Sequence, residues 1–384
     1  MVIQGPVGQT FNKGDDITLT VTVAGPAPFT YQWTQNKKPI AGATAATYVI
    51  TDADHTDIGD YSVVVSNANG ITESGSRLDG GDDAARLIMR GAYVIEAEDY
   101  NYEGGKHLTV ASTMPYLGNA YAGLVPTLDV DFFNAGDEAG GDAGAYAYGP
   151  RTATTSVGTV ETKGGGDAVN NAFNRNRGSF TVDASYATGW GSAGDWQNYT
   201  RTFPAGRYVI VAGVANDGDP GEDPLSRIDA MNSHLSKVAN PTIPDGSSVE
   251  FGEVGSQGLT PLGVFNSPVS GAWSSNDLVP LTDATTGAIV EVQLSGTETL
   301  RWSNDSSLDM DYLLLYCLNC VDTQPPTIAI NRTGGTVTIN FTGTLRSSAT
   351  LGAGANWTDV TGATGGTYTV PTGDTMRFFR SFRP

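Results

Sequence analysis

Histidine, cysteine and basic charge are scarce in this sequence, and each shortage removes a class of function. The three histidines, His55, His107 and His234, stand in unrelated settings, and neither a G-x-S-x-G elbow nor an H-E-x-x-H pair occurs. The common nucleophile-base and zinc-hydrolase arrangements therefore have no carrier here. Lysine and arginine number 21 against 41 acidic residues, a net charge of -20. That balance argues against nucleic acid and anionic membrane surfaces, both of which need basic patches to displace counterions. No apolar run approaches the ~20 residues that span a bilayer, so membrane insertion is not expected. No signal peptide intervenes between Met1 and strand-like sequence, which reads as a mature form or an excised piece.

The two cysteines, Cys317 and Cys320, form a C-L-N-C run. A thioredoxin-type motif would need a βαβ context that is missing, and a structural zinc site usually needs four ligands. A tight disulfide formed in an oxidising compartment is the reading, with two inert thiols as the alternative.

What the chain does have is glycine, 49 residues, and short runs of Val, Thr, Tyr and Ile punctuated by Asn-Gly and Asp-Gly. Amphipathic patterns of helix length are hard to find, so the fold class is all-β. The length, 384 residues, suits two or three domains. Charge is uneven: residues 93–320 hold 10 basic and 28 acidic residues, and residues 321–384 hold 5 and 3. The acidic centre has carboxylates to spare for a hard cation such as calcium.

Residues 1–80 alternate Ile17, Leu19, Val21 and Val23 as a half-buried strand does, then present Tyr31-Gln32-Trp33 and the run Asp57-Ile58-Gly59-Asp60-Tyr61. A buried Trp followed by a D-x-G-x-Y corner resembles an immunoglobulin-like β-sandwich. Val21 and Val63 stand where antibody domains carry paired cysteines, so an apolar contact must replace the bridge. Residues 81–92 read as a junction, with Leu87, Ile88 and Met89 too apolar for a free linker and expected to dock on a neighbour.

From residue 93 the sequence opens with Val94-Ile95-Glu96-Ala97-Glu98-Asp99-Tyr100, contains Thr188-Gly189-Trp190 and Gly194-Asp195-Trp196, and closes with Leu308-Asp309-Met310-Asp311-Tyr312. Period-2 geometry puts Glu96 and Glu98 on one strand face, where they repel unless a cation or a basic group lies between them. No basic residue but Lys106 is near in sequence. These motifs resemble carbohydrate-binding modules of the family 6 type, a jelly-roll β-sandwich. The resemblance implies a structural calcium held by Glu96, Glu98 and Asp311. It also implies an aromatic cleft for a polysaccharide or other glycan, formed by Trp190 and by Trp273 in Ser270-Gly271-Ala272-Trp273. Asp309 stands there in place of the family's asparagine, and Trp196 is expected in the core. Core strands are predicted over residues 179–182, 197–203, 207–214, 262–265, 289–294, 299–302 and 311–316.

Such modules are usually much shorter than residues 93–320. The excess falls in residues 104–177, with the motif Met114-Pro115-Tyr116-Leu117-Gly118, and in residues 216–260, with Asp217, Asp219, Glu222 and Asp223. Residues 321–384 begin with Pro325-Pro326 and carry Asn356-Trp357-Thr358, Tyr368 and Phe378-Phe379-Arg380, resembling short C-terminal β modules of secreted bacterial proteins. The expectation is a non-catalytic carbohydrate-binding or adhesion protein of the extracellular space or bacterial cell surface. The alternative is a structural subunit that assembles with itself as a homopolymer, through strand pairing at exposed edges.

Overall fold

The strand Ile17–Thr20 buries its first and third residues and exposes the second and fourth, the alternation a one-sided sheet imposes. Built from such strands, the computed structural model is all-β. It describes residues 2–74, 85–108, 121, 124–133, 159–161, 175–182, 186–189, 191–219, 221, 223–245, 249–320, 328–341, 344–351, 355–361, 363, 366–371 and 377–382. The chain divides into two units, residues 1–320 and 321–384.

The first unit starts with a sandwich. One sheet holds Gln9–Phe11, Ala85–Met89, Gly59–Asn67, Thr30–Gln35 and Lys38–Pro39, with Gly70–Ser74 hairpinned onto Gly59–Asn67; Ile17–Thr20 pairs with Thr47–Ile50. Trp33 is fully buried, and its Nε1 donates to the Ala45 carbonyl at 2.8 Å. Val21 and Val63 lie in the same apolar core. Tyr61 Oη donates to the Asp57 carbonyl at 3.1 Å, closing the corner that the sequence pattern announced.

Ala85–Met89, inside the segment expected as a junction, is a strand of this sandwich, parallel to Gln9–Phe11 and antiparallel to Gly59–Asn67. All five of its residues are buried, because its core is shared: one apolar cluster contains Trp33, Leu87, Ile88 and Met89 together with Val211, Leu278, Tyr312 and Leu314 from the following domain. The two domains therefore meet as one body. Charges are buried there too. Arg86 Nε and Nη2 reach the two Asp60 carboxylate oxygens at 2.7 Å each, and its Nη1 donates to Tyr312 Oη at 3.2 Å. Lys37 pairs with Asp277, and Arg227 with Glu73.

The second domain is organised by one strand, Trp196–Asn216, where the sequence predicts two. Its first half pairs with Val292–Asn304 and Phe132–Phe133; its second half pairs with Asp309–Cys317 on one side and Ala272–Pro280 on the other. The register slips between Phe203 and Gly206, around Pro204, a residue without an N–H to give the ladder and so suited to a bulge. Met231–Val238 and Leu259–Ser267 extend the sheet beyond Val292–Asn304, and Tyr93–Glu96 adds to Asp309–Cys317. Residues 179–182 form only an isolated bridge, Asn176 with Thr181. Cys317 and Cys320 are joined as a disulfide.

The described residues between 328 and 382 form two three-stranded sheets, Ile328–Thr333, Thr336–Phe341 and Thr367–Val370 in one and Thr358–Asp359, Thr344–Ser348 and Phe378–Phe382 in the other. Their buried core is Ile339, Phe341 and Leu345. Arg380 lies over the Trp357 ring at 4.4 Å.

Candidate functional site

Register brings the ends of four segments together at one end of the long strand. Asp309 pairs with Ala215, Ala272 pairs with Asn216, and Thr188 pairs with Met310. Asn216 ties the neighbouring loops: its N donates to Ser270 Oγ at 2.8 Å and its Nδ2 to the Ser307 carbonyl at 2.6 Å. Of the residues expected in the cleft, Trp273 occupies the strand Ala272–Pro280 beside this end, and Trp190 lies outside the described residues. Asp309 is placed here as well, paired with Ala215 and buried, 6% exposed.

A cavity of about 20 Å³ lies beside the Thr188 and Met310 pair, lined also by Tyr100, Phe132, Gly191 and Asn304 and by Gln197 from the Trp196 end of the long strand. Two side-chain carbonyls of its lining, Gln197 Oε1 and Asn304 Oδ1, are buried and receive no hydrogen bond from any described residue. Asn304 Nδ2 donates to the Leu308 carbonyl at 3.2 Å, which fixes the amide so that the oxygen is the spare group. Gly191 is required by space: a Cβ there would stand 2.1 Å from Asn304 Nδ2 and 2.3 Å from the Leu308 carbonyl. A cavity of this size admits one water or one hydroxyl, and buried acceptors of this kind call for a donor. Neither acceptor was singled out from the sequence, because nothing local marks an amide that loses its solvent.

Trp196 is fully buried, as expected, but not within the main apolar core. Arg301 stacks over its ring at 3.6 Å, and Phe133 lies beside it. Arg301 in turn donates to Asn198 Oδ1 at 3.1 Å, Gln257 Oε1 at 2.6 Å and Asp245 Oδ2 at 2.6 Å. Asp245 and Gln257 belong to the second insertion, which is thereby fastened over the outer face of Trp196. The acidic residues Asp219 and Asp223 of the same insertion spend their carboxylates on turns, accepting from the Gly221 and Leu225 N–H groups.

The carboxylates expected to hold calcium are brought together, but around an arginine. Glu96 pairs with Tyr312 across the strands, beside Asp311. Arg177 Nε and Nη2 reach Glu96 Oε1 and Oε2 at 3.0 and 2.9 Å, and Nη2 reaches Asp311 Oδ1 at 3.3 Å. Asn276 Nδ2 donates to the remaining oxygen, Asp311 Oδ2. Glu98 is buried alongside, and burial, then the charges of Asp99, Glu96 and Asp311, pushes its carboxyl well above the usual range. Calcium takes 6 to 8 oxygen ligands at about 2.3–2.6 Å. With all four oxygens of Glu96 and Asp311 engaged by nitrogen donors, these residues do not fit a calcium shell, and no group of three acidic, His or Cys ligands is poised for a metal among the described residues.

Residues 2–67 match the family model of the immunoglobulin domain. The immunoglobulin domain accounts for the N-terminal sandwich but for a small share of the whole chain. A decoration protein of Escherichia phage T5 is 37% identical over 62 residues, 16% of this chain and 38% of that protein; the chain thus spans less than half of that relative's length. Among solved structures, the C-terminal family 6 carbohydrate-binding module of LamC, a laminarinase from Zobellia galactanivorans, is 19% identical and covers 35% of this chain and 81% of its own, with a TM-score of 0.23. Three N-terminal domains of the outer capsid protein Hoc of bacteriophage RB49 are 12% identical, covering 88% and 91%, with a TM-score of 0.19.

Proposed function

We propose that this is a non-catalytic glycan-binding protein that works at an exposed surface, and that the sugar docks at the end of the second domain where Thr188, Asn216, Ala272 and Met310 converge. The observation that carries the reading is the pair of buried carbonyl acceptors, Gln197 Oε1 and Asn304 Oδ1, lining a cavity of one-hydroxyl size beside Thr188 and Met310. A sugar presents hydroxyl donors to such acceptors and an apolar ring face to an aromatic. Trp190 and Trp273 flank the site in sequence, one beside Gly191 and one beside Ala272, and are the aromatics assigned to the ring face.

Affinity electrophoresis through polysaccharide-loaded gels tests it. Trp190→Ala and Trp273→Ala are each expected to weaken retention about tenfold or more, ~1.4 kcal/mol, with the melting temperature unchanged. Full retention in both variants would remove the site.

A second reading, attachment to a large protein particle such as a capsid, is favoured by the 62-residue likeness to a phage decoration protein. It predicts no retention on any polysaccharide and co-sedimentation with the particle. Self-assembly would instead produce large ordered particles of the protein alone, visible by light scattering and negative-stain microscopy.

A further inference from the structure

The acidic cluster of the second domain has its cation supplied by the chain. Glu96 and Asp311 are buried with at most 3% exposure, where carboxylate charge is costly unless a positive group lies against it. Arg177 supplies it in the geometry that suits guanidinium best, a two-nitrogen fork on Glu96 with a second bond to Asp311. Its flat face lies on the Tyr312 ring, 3.7 Å from the centroid, so the charge is satisfied above the plane as well as in it.

What aims Arg177 is the junction with the immunoglobulin domain. Asn176 Nδ2 donates to Thr10 Oγ1 at 3.2 Å, Arg90 Nη1 to the Gly178 carbonyl at 3.3 Å, and the Gly91 N–H to Ser179 Oγ at 2.8 Å. Gly178 has φ +81, and a Cβ there would stand 2.4 Å from the Met89 carbonyl. The backbone can pass that close only as glycine. Residues 176–179 are thus held on the first domain while the guanidinium between them enters the second.

We infer that Arg177 is a built-in substitute for a divalent cation, which makes the second domain independent of calcium and dependent on its docked neighbour, and that removing the guanidinium converts the Glu96, Glu98 and Asp311 cluster into a calcium site. The inference is independent of glycan binding.

The test is thermal unfolding of the full chain in calcium and in chelator, with terbium as a luminescent stand-in that nearby Tyr312 can sensitise. Wild type is expected to melt at the same temperature in both solutions. Arg177→Ser is expected to melt several degrees lower in chelator, to regain most of the loss in calcium, and to acquire terbium emission that Glu96→Gln in the same background abolishes. Arg177→Lys keeps a charge in place but loses the fork, so it is expected to melt lower than wild type without calcium rescue. A wild-type gain in calcium that Glu96→Gln removes would overturn the inference, as would an Arg177→Ser variant equally unstable in both solutions. If Arg177→Ser does not fold in chelator, its recovery from refolding with calcium, and not without, reads the same outcome.

Discussion

Arg86→Ala is expected to destabilise the 1–320 unit by about 3–5 kcal/mol, the typical loss when one partner of a buried ion pair is removed. The guanidinium has no water to fall back on: Asp60 takes two of its bonds, Tyr312 Oη one, and the Asn276 carbonyl another. Asp60 would be left buried with the Leu278 N–H, at 3.2 Å, as a remaining donor. Because Arg86 sits on the last strand of the immunoglobulin domain and Tyr312 and Asn276 sit in the next, the loss should appear as a lower urea midpoint for both domains together. Replacing Asp60 and Arg86 at once by apolar residues of similar volume should cost less than Arg86→Ala alone, since no orphaned charge remains. Two separated unfolding transitions in the wild-type 1–320 unit, or a loss below about 1 kcal/mol in Arg86→Ala, would show that the two domains do not depend on this contact.

Arg301→Ala should have a comparable effect, about 3–5 kcal/mol, with a different signature. Arg301 holds Asp245 and Gln257 down on the sheet, and Trp196 is covered by its guanidinium. Without it the second insertion loses its anchor, so limited proteolysis should cut within residues 240–257 faster than in wild type, and Trp196 fluorescence should shift to the red. Burial draws the Arg301 pKa down to about 10, with Asp245 opposing the change, so the pair stays ionised at neutral pH. Burial also pushes the Asp245 carboxyl up, but the bonds from Ser256 Oγ and the Gln257 N–H and the Arg301 charge outweigh it, leaving it below the ordinary value. A carboxyl with the lower pKa in the folded state stabilises fully above its unfolded value of about 3.9 and stops doing so as pH falls through the folded one. Asp245→Asn should therefore flatten the acid limb of the stability curve, and unproteolysed insertion in Arg301→Ala would contradict the anchoring role.

The sequence by itself determined the local chemistry. Alternation in residues 17–23 specified which side chains face the core, although the run divides into Ile17–Thr20 and Thr22–Val23 with different partner strands; Trp33 and Tyr61 specified the sandwich core and corner, and the three-residue spacing of Cys317 and Cys320 allowed the tight disulfide. These signals are legible because each is a contact or a period spanning a few residues. Period 2 marked Glu96 and Glu98 as a pair that repels without a positive group, and the family resemblance added Asp311 and implied calcium; the arginine that meets Glu96 and Asp311 was not legible. Arg177 lies 81 residues from Glu96 and 134 from Asp311, with no pattern along the chain to couple them. Tertiary structure alone decided that partner. It likewise recruited Ala85–Met89 into the first sandwich, merged two predicted strands into Trp196–Asn216, and turned the amides of Gln197 and Asn304 toward a cavity rather than solvent. The physical reason is common to all four: strand period and turn chemistry act between neighbours, whereas the desolvation of a charge or an amide is set by whatever the folded chain packs against it.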